Sequence, residues 1–338
     1  MTVHQDAEPR IQTDVREQVF ALTHACGWIR PELRSKIVLT GTDRVRWLNG
    51  MVTNNVRDLA PGHGVYAFVL SPQGRILGDL YIFNRGESLL IDTDQSQAAT
   101  LLALFDRYII MDEVEVAEMS TSFATVEIAG PKALPTLRAA GFELPPDGTL
   151  RFVDSQWRGF SVTVARGDNP LVENYEISAP PTAMQAIETA LQESGGARVS
   201  EAAMEQLRIA SGLPRYGQDI RERDLPQETE QARALNFSKG CYVGQEIVER
   251  IRSQGRVHRR FSGFIIDGPS PEPGAKLRRD EKDVGEITSA TSLPFANGEL
   301  NVALGYVRRE AIASDVPLDL GSAKATAVPL PFRQILTQ

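Results

Sequence analysis

From Arg259 onward helical spacing almost disappears from the sequence, and nothing else in the chain restricts the fold as much. Phe261–Ile266, Ala275–Leu277, Val284–Thr288, Val302–Val307 and Ala325–Val328 are short β-rich runs between Gly- and Pro-rich turns. Such a series predicts a small antiparallel barrel or sandwich over 257–338. Upstream, strand and helix patterns alternate, so the whole chain reads as an α+β protein with an all-β C-terminal unit. Its 338 residues leave room for two or three units, each with a sizeable core.

Residues 1–18 are polar and read as a loose N-terminal arm. Ile37, Val38 and Leu39 form a strand. Thr42 and Asp43 are helix-start signals before Val45, Trp47, Leu48 and Met51. Val65–Leu70 and Ile76–Phe83, joined by Ser71-Pro72-Gln73-Gly74, read as a β-hairpin, and residues 98–110 as an amphipathic helix. Within 119–196, strand runs at Ala124–Ile128, Phe160–Val164 and Tyr175–Ile177 alternate with helical runs at Lys132–Ala140 and Ala183–Glu193. That order suits a split-βαβ sandwich. Ser200–Ser211 is a further helix, and 215–236 an irregular connector.

Composition narrows the function classes. There are 36 basic and 44 acidic side chains, a net charge of −8, which argues against direct nucleic-acid binding. No apolar run reaches the ~18 residues of a membrane helix, and the polar, acidic N-terminal text resembles neither a secretory signal nor a transit peptide. Two cysteines make no disulfide framework, and the scattered histidines support no metal site. The expectation is a cytoplasmic, reduced protein.

Three features stand out as candidate chemistry. In Lys239-Gly240-Cys241-Tyr242-Val243-Gly244-Gln245-Glu246, Cys241 falls just before a helix start, where the dipole and nearby Lys239 favour thiolate. A small buried cysteine in a turn is the plainer alternative, as it is for Cys26. Asp79 interrupts an otherwise apolar run, so it faces a pocket or lies at a strand edge towards water. Arg250, Arg252, Arg256, His258, Arg259 and Arg260 form a basic cluster able to hold a carboxylate or phosphate, or to act as a solvated face.

The box KGCYVGQE resembles the signature of the YgfZ-type folate-binding proteins, whose eukaryotic relatives serve iron–sulfur protein assembly. The rest of the chain, from about residue 36 to about 333, is similar to the wider glycine-cleavage T-protein (aminomethyltransferase) superfamily. LTGTDRVRWLNGMVTNNVRDL, GHGVYAFVLSPQGRILGDLYIF, LRIASGLPRYGQDIRERDLPQE and VGEITSATSLP carry that similarity. The resemblance implies a three-domain ring around a central hole that binds tetrahydrofolate. Its discontinuous folate-binding domain would span 19–118 and 197–256. It further implies Asp79, Tyr66, Thr53, Asn54, Gln245, Glu246 and Arg250 as cofactor-binding residues, and Cys241 with Lys239 as the reactive pair. Iron–sulfur proteins, among them tRNA-thiolating enzymes, are the implied partners. Ala210 departs from the superfamily pattern, where a Glu reads the pterin ring. A folate-dependent aminomethyltransferase is the alternative.

Overall fold

The structure, a computed structural model, describes residues 14–31, 33–255, 257–295, 298–313 and 316–336. Residues 1–13 of the expected arm lie outside the described residues. The remainder of that arm is corrected by α1 (Val15–His24), which opens at the Asp14 cap. Its apolar residues are widely spaced in polar text, yet Val19 and Leu22 are fully buried.

The chain continues through β1 (Gly27–Ile29), β2 (Arg34–Thr40), α2 (Arg44–Met51), β3 (His63–Leu70), β4 (Ile76–Asn84), β5 (Leu89–Asp94), α3 (Gln95–Tyr108) and β6 (Glu115–Glu118). Five of these strands form an antiparallel sheet in the order β3-β4-β5-β2-β6. Alternation along each strand sends Ile37, Leu39, Val69, Ile82 and Ile91 to one face. There they pack with Trp47 and Leu48 of α2 and Leu101 and Phe105 of α3. The other face is unusual. Register sets Tyr66 opposite Tyr81, Tyr81 opposite Asp92, and Asp92 opposite Lys36, a polar row crossing four strands.

The second sheet is built from β7 (Ala124–Ala129), β8 (Phe152–Trp157), β9 (Phe160–Arg166), β10 (Asn174–Ala179) and β11 (Ala197–Arg198), with α4 (Ala133–Ala139) and α5 (Met184–Glu193). Its order is β11-β1-β7-β10-β9-β8. This is the split-βαβ arrangement with β1 inserted between β11 and β7 and β8 added at the edge. Leu137 and Ile187 from the two helices bury Val126, Ile128, Val164 and Trp157.

α6 (Glu201–Ser211) begins at the Ser200 hydroxyl and ends at Gly212, whose φ of 69° suits a residue without Cβ. After the largely irregular connector and α7 (Gln245–Gln254) comes the all-β unit: β12 (Arg259–Asp267), β13 (Lys276–Arg279), β14 (Lys282–Phe295), β15 (Gly298–Arg308), β16 (Leu318–Leu320) and β17 (Ala323–Val328). It is a closed antiparallel barrel, β12-β15-β14-β13-β16-β17, and closure removes the unpaired edges a sandwich would leave. Phe264, Ile287, Val307 and Leu318 fill it, while Phe261, Leu304 and Tyr306 face outward and pack with Leu207 of α6.

Candidate functional site

Asp79 stands on β4, on the polar face of the first sheet, and its carboxylate is held from two sides. Oδ2 accepts from the Tyr66 hydroxyl at 2.5 Å and Oδ1 from Gln97 Nε2 at 2.8 Å, while Gln97 Oε1 accepts the Asp79 N–H at 2.9 Å. Burial and then the Asp79 charge push the Tyr66 phenol well above its ordinary range, so Tyr66 stays a hydrogen-bond donor. The Arg233 guanidinium lies 4.2 Å over the Tyr66 ring. Arg233 also donates to Asp168 and, at 3.3 Å, to Tyr81, whose own hydroxyl donates to Asp168 at 3.1 Å. Burial works against the Arg233 charge, and Tyr81, Asp168 and Tyr66 more than offset it.

Arg233 and Asp168 form part of the wall of a cavity of about 460 Å³ that also meets Leu213, Arg260, Phe261 and Leu330. The end of α6, the connector, the β9–β10 loop and the barrel meet here. None of the side chains expected to bind a cofactor lines this cavity directly. Asp79 reaches it through Tyr66 and Arg233. Thr53 and Asn54 act one step further back. The Thr53 hydroxyl donates to the Ala234 carbonyl at 2.6 Å and accepts from the Phe68 N–H at 2.9 Å. Asn54 Nδ2 donates to the carbonyls of Tyr66 (2.8 Å) and Arg233 (2.9 Å). Together they sew the connector to β3 and set the position of Arg233. Sequence spacing gave no sign of Arg233 or Asp168, because the connector and the β9–β10 loop carry no periodicity to read, while Tyr81 passed as an ordinary aromatic residue of the β4 strand.

The KGCYVGQE box forms a second centre. Lys239 Nζ donates to three backbone carbonyls beyond the end of α2 and in its last turn: Asn49 at 2.5 Å, Val52 at 2.6 Å and Asn54 at 2.8 Å. Burial and then Arg57 push its ammonium down to about 7. Tyr242 lies under Lys239, with 4.9 Å from Nζ to the ring centroid, and burial holds the Tyr242 phenol up at about 12. The Val243 N–H donates to the Gly50 carbonyl at 3.0 Å, and Gln245 Oε1 accepts the Tyr242 N–H at 3.1 Å. Gly244 has φ 82°, and a Cβ there would stand 2.5 Å from the Ser71 carbonyl oxygen. Cys241 is exposed at the top of this loop, and Glu246 is exposed in the first turn of α7. Cys26, by contrast, is enclosed, and burial pushes its thiol up to about 11.

The basic cluster is divided by the fold. Arg250 and Arg252 are exposed on α7 and His258 is exposed beyond it, while Arg256 lies outside the described residues. Arg259 pairs with Asp224 (2.7 Å) and Glu228 (2.9 Å), and Arg260 borders the cavity. Ala210 is fully buried, and its carbonyl accepts the Phe332 N–H at 2.8 Å. Among the described residues no group of three or more His, Cys, Asp or Glu is placed to hold a metal ion. No described helix is long and apolar enough to cross a membrane.

Comparison with known proteins places this architecture. The family described as GCVT N-terminal domain matches residues 4–239, more than half the chain. The chain belongs to the GCVT family. Beyond that match, residues 258–332 are similar to the family described as CAF17, C-terminal beta-barrel domain. An aminomethyltransferase of Rubrobacter xylanophilus is 27% identical over 302 residues, covering 88% of this chain and 80% of the relative. One from Geobacillus kaustophilus is 26% identical over 331 residues, covering 95% and 90%. The solved structure of glycine cleavage system aminomethyltransferase T from Bartonella henselae matches with a TM-score of 0.83 at 21% identity, covering 94% of this chain and 89% of that one. The GCVT-family chain therefore has an aminomethyltransferase-like fold that ends in a closed six-stranded barrel.

Proposed function

We propose that this GCVT-family protein binds tetrahydrofolate in the 460 Å³ cavity and serves the assembly or repair of iron–sulfur proteins in the cytoplasm, with Cys241 as its working residue. The observation that carries this reading is the economy of the KGCYVGQE loop. Lys239, Tyr242, Val243, Gly244 and Gln245 all hold the loop in place, and Cys241 is left facing solvent. A thiol so displayed suits transient contact with a partner protein rather than chemistry on an enclosed substrate. In this reading Lys239 positions the loop, since its ammonium is engaged by three carbonyls.

The cavity suits the cofactor in size and lining. Small-ligand sites commonly measure some hundreds of Å³. Leu213, Phe261 and Leu330 offer apolar surface to a flat ring, and Arg260 offers a cation to an anionic tail. Tetrahydrofolate would supply an acceptor for a one-carbon unit. Asp79 acts through Tyr66 and Arg233, orienting the wall. Ala210 supplies no carboxylate to the pterin, which removes a charge-assisted bond worth roughly 1.5–3 kcal/mol.

The names of the relatives favour a second reading, aminomethyl transfer to tetrahydrofolate. Titration tests the cofactor that both readings share, and cell and turnover assays separate them. Anaerobic calorimetric titration with tetrahydrofolate is expected to give one site that weakens in Asp79→Ala, and absence of binding would remove the cofactor. Cells carrying Cys241→Ala as their sole copy are expected to lose activity of iron–sulfur enzymes. Unchanged activity there, together with turnover of an aminomethyl-lipoyl carrier, would establish the transferase instead.

A further inference from the structure

A second cavity, of about 400 Å³, opens where β1, β2, β11 and the β6–β7 loop meet, and it shares no lining residue with the first. Four of its lining side chains are cationic and come from separate stretches of chain: Arg30 after β1, Arg34 and Lys36 on β2, and Arg198 on β11. Ser120 and Thr125 add hydroxyls. On a protein of net charge −8 this gathering is local, not a general surface property.

The charges do not balance within the site. Arg34 grips Asp92 through two nitrogens, at 2.8 and 3.1 Å, and Lys36, only 2% exposed, pairs with Asp92 at 3.3 Å and with Glu176. These pairs form the floor. Arg30 and Arg198 at the wall have no carboxylate partner among the described residues, and Arg198 lies 6.0 Å over the Trp28 ring. The remaining carboxyl beside the floor is Glu127, which burial, with Glu176 and Asp92 adding to it, pushes up to about 7 despite the opposing pull of Arg34. Arg30 is exposed and Arg198 half-buried, so the cavity wall presents two guanidinium groups to solvent with no carboxylate between them, where an incoming anion can complete the charge. Guanidinium forks match the paired oxygens of carboxylate and phosphate in a way an ammonium does not.

We propose that this second cavity binds a small dianion, gripped by Arg30 and Arg198 above the Arg34–Asp92–Lys36 floor. The shared chemistry is a pair of anionic oxygen groups, which a phosphate or a dicarboxylate both present. This site is independent of the folate reading and stands whether or not the first cavity binds tetrahydrofolate.

The test is calorimetric titration of the full chain with inorganic phosphate and, separately, with succinate, at constant ionic strength set by chloride. One-site binding of either probe is expected, weakened about tenfold or more in Arg30→Gln and again in Arg198→Gln, each loss being roughly one charge-assisted contact. Arg308→Gln, on the exposed outer end of the barrel, is expected to leave it unchanged. Binding of phosphate alone, or of succinate alone, identifies the source of the oxygens. The proposal is overturned if neither probe binds at about ten millimolar, or if both arginine variants bind as tightly as the parent protein. Both arginines lie at the cavity wall outside the buried floor, so their variants retain the fold, which circular dichroism checks.

Discussion

Lys239 shows how much one side chain can decide. Its three N–H groups close three carbonyls around the end of α2, so removing them leaves buried acceptors open rather than merely deleting a charge. Lys239→Met is expected to lower stability by about 1–3 kcal/mol in urea titration and to make the 238–243 loop sensitive to limited proteolysis. An unchanged midpoint and cleavage pattern would show the three bonds to be incidental. Asp79 is the other decisive residue. Asp79→Asn keeps the shape but places an NH2 against either the Tyr66 hydroxyl or Gln97 Nε2, both donors in this structure. It is expected to weaken tetrahydrofolate binding several-fold with little change in melting temperature, whereas Asp79→Ala loses both. Asp79 was visible in the sequence because a carboxylate among Ile76, Leu77, Leu80 and Ile82 needs a reason. Arg233 was not, because an arginine in an irregular stretch usually faces water.

At the scale of elements, turns and register matter more than composition. The β3–β4 hairpin, α3 and the α4 and α5 helices were legible, since each carries its own period or turn residues. The short strands β1, β11 and β16 were not, because two or three residues show no alternation and pair only when neighbours arrive. Residues 15–18, the first turn of α1, were misread as loose arm because the buried face of the helix is narrow. Gly244 is the joint between the β3–β4 turn and α7, and its φ of 82° with a carbonyl 2.5 Å from any Cβ excludes other residues. Gly244→Ala is expected to destabilise by about 1–3 kcal/mol in denaturant titration. Between the two sheets, Glu127 gives a pH signature. Its carboxyl is pushed up to about 7, above its unfolded value, so the stability it contributes is present at acid pH and lost as pH rises through 7. Glu127→Gln is expected to match the parent at pH 4 and to be roughly 2 kcal/mol more stable at pH 8. Thermal melts at the two values check this, and an equal offset at both would contradict it.

On the scale of the whole molecule, the separate hydrophobic cores are clasped by a few polar ties. Asp219 in the connector is fully buried. It accepts from Arg208 of α6 at 2.6 Å and from the Ser289 hydroxyl of β14 at 2.7 Å, and it also takes a bond from Thr288. Asp219→Ala leaves the buried guanidinium without that partner, and a loss of about 3–5 kcal/mol is expected, seen by calorimetry as barrel melting apart from the rest. The sequence alone determined the unit types, since short runs without helical spacing permit only an all-β C-terminal unit and alternating patterns only an α+β remainder. It also marked Cys241 and Asp79, whose surroundings break local rules of burial and backbone freedom. Tertiary structure alone decided that β1 crosses into the second sheet and that the Arg250–Arg260 run is divided between helix, ion pairs and cavity. It also decided that Arg233 joins Asp79 to the cavity wall. Those outcomes depend on contacts between residues from 31 to well over a hundred positions apart, where local pattern holds no information and packing and charge pairing choose.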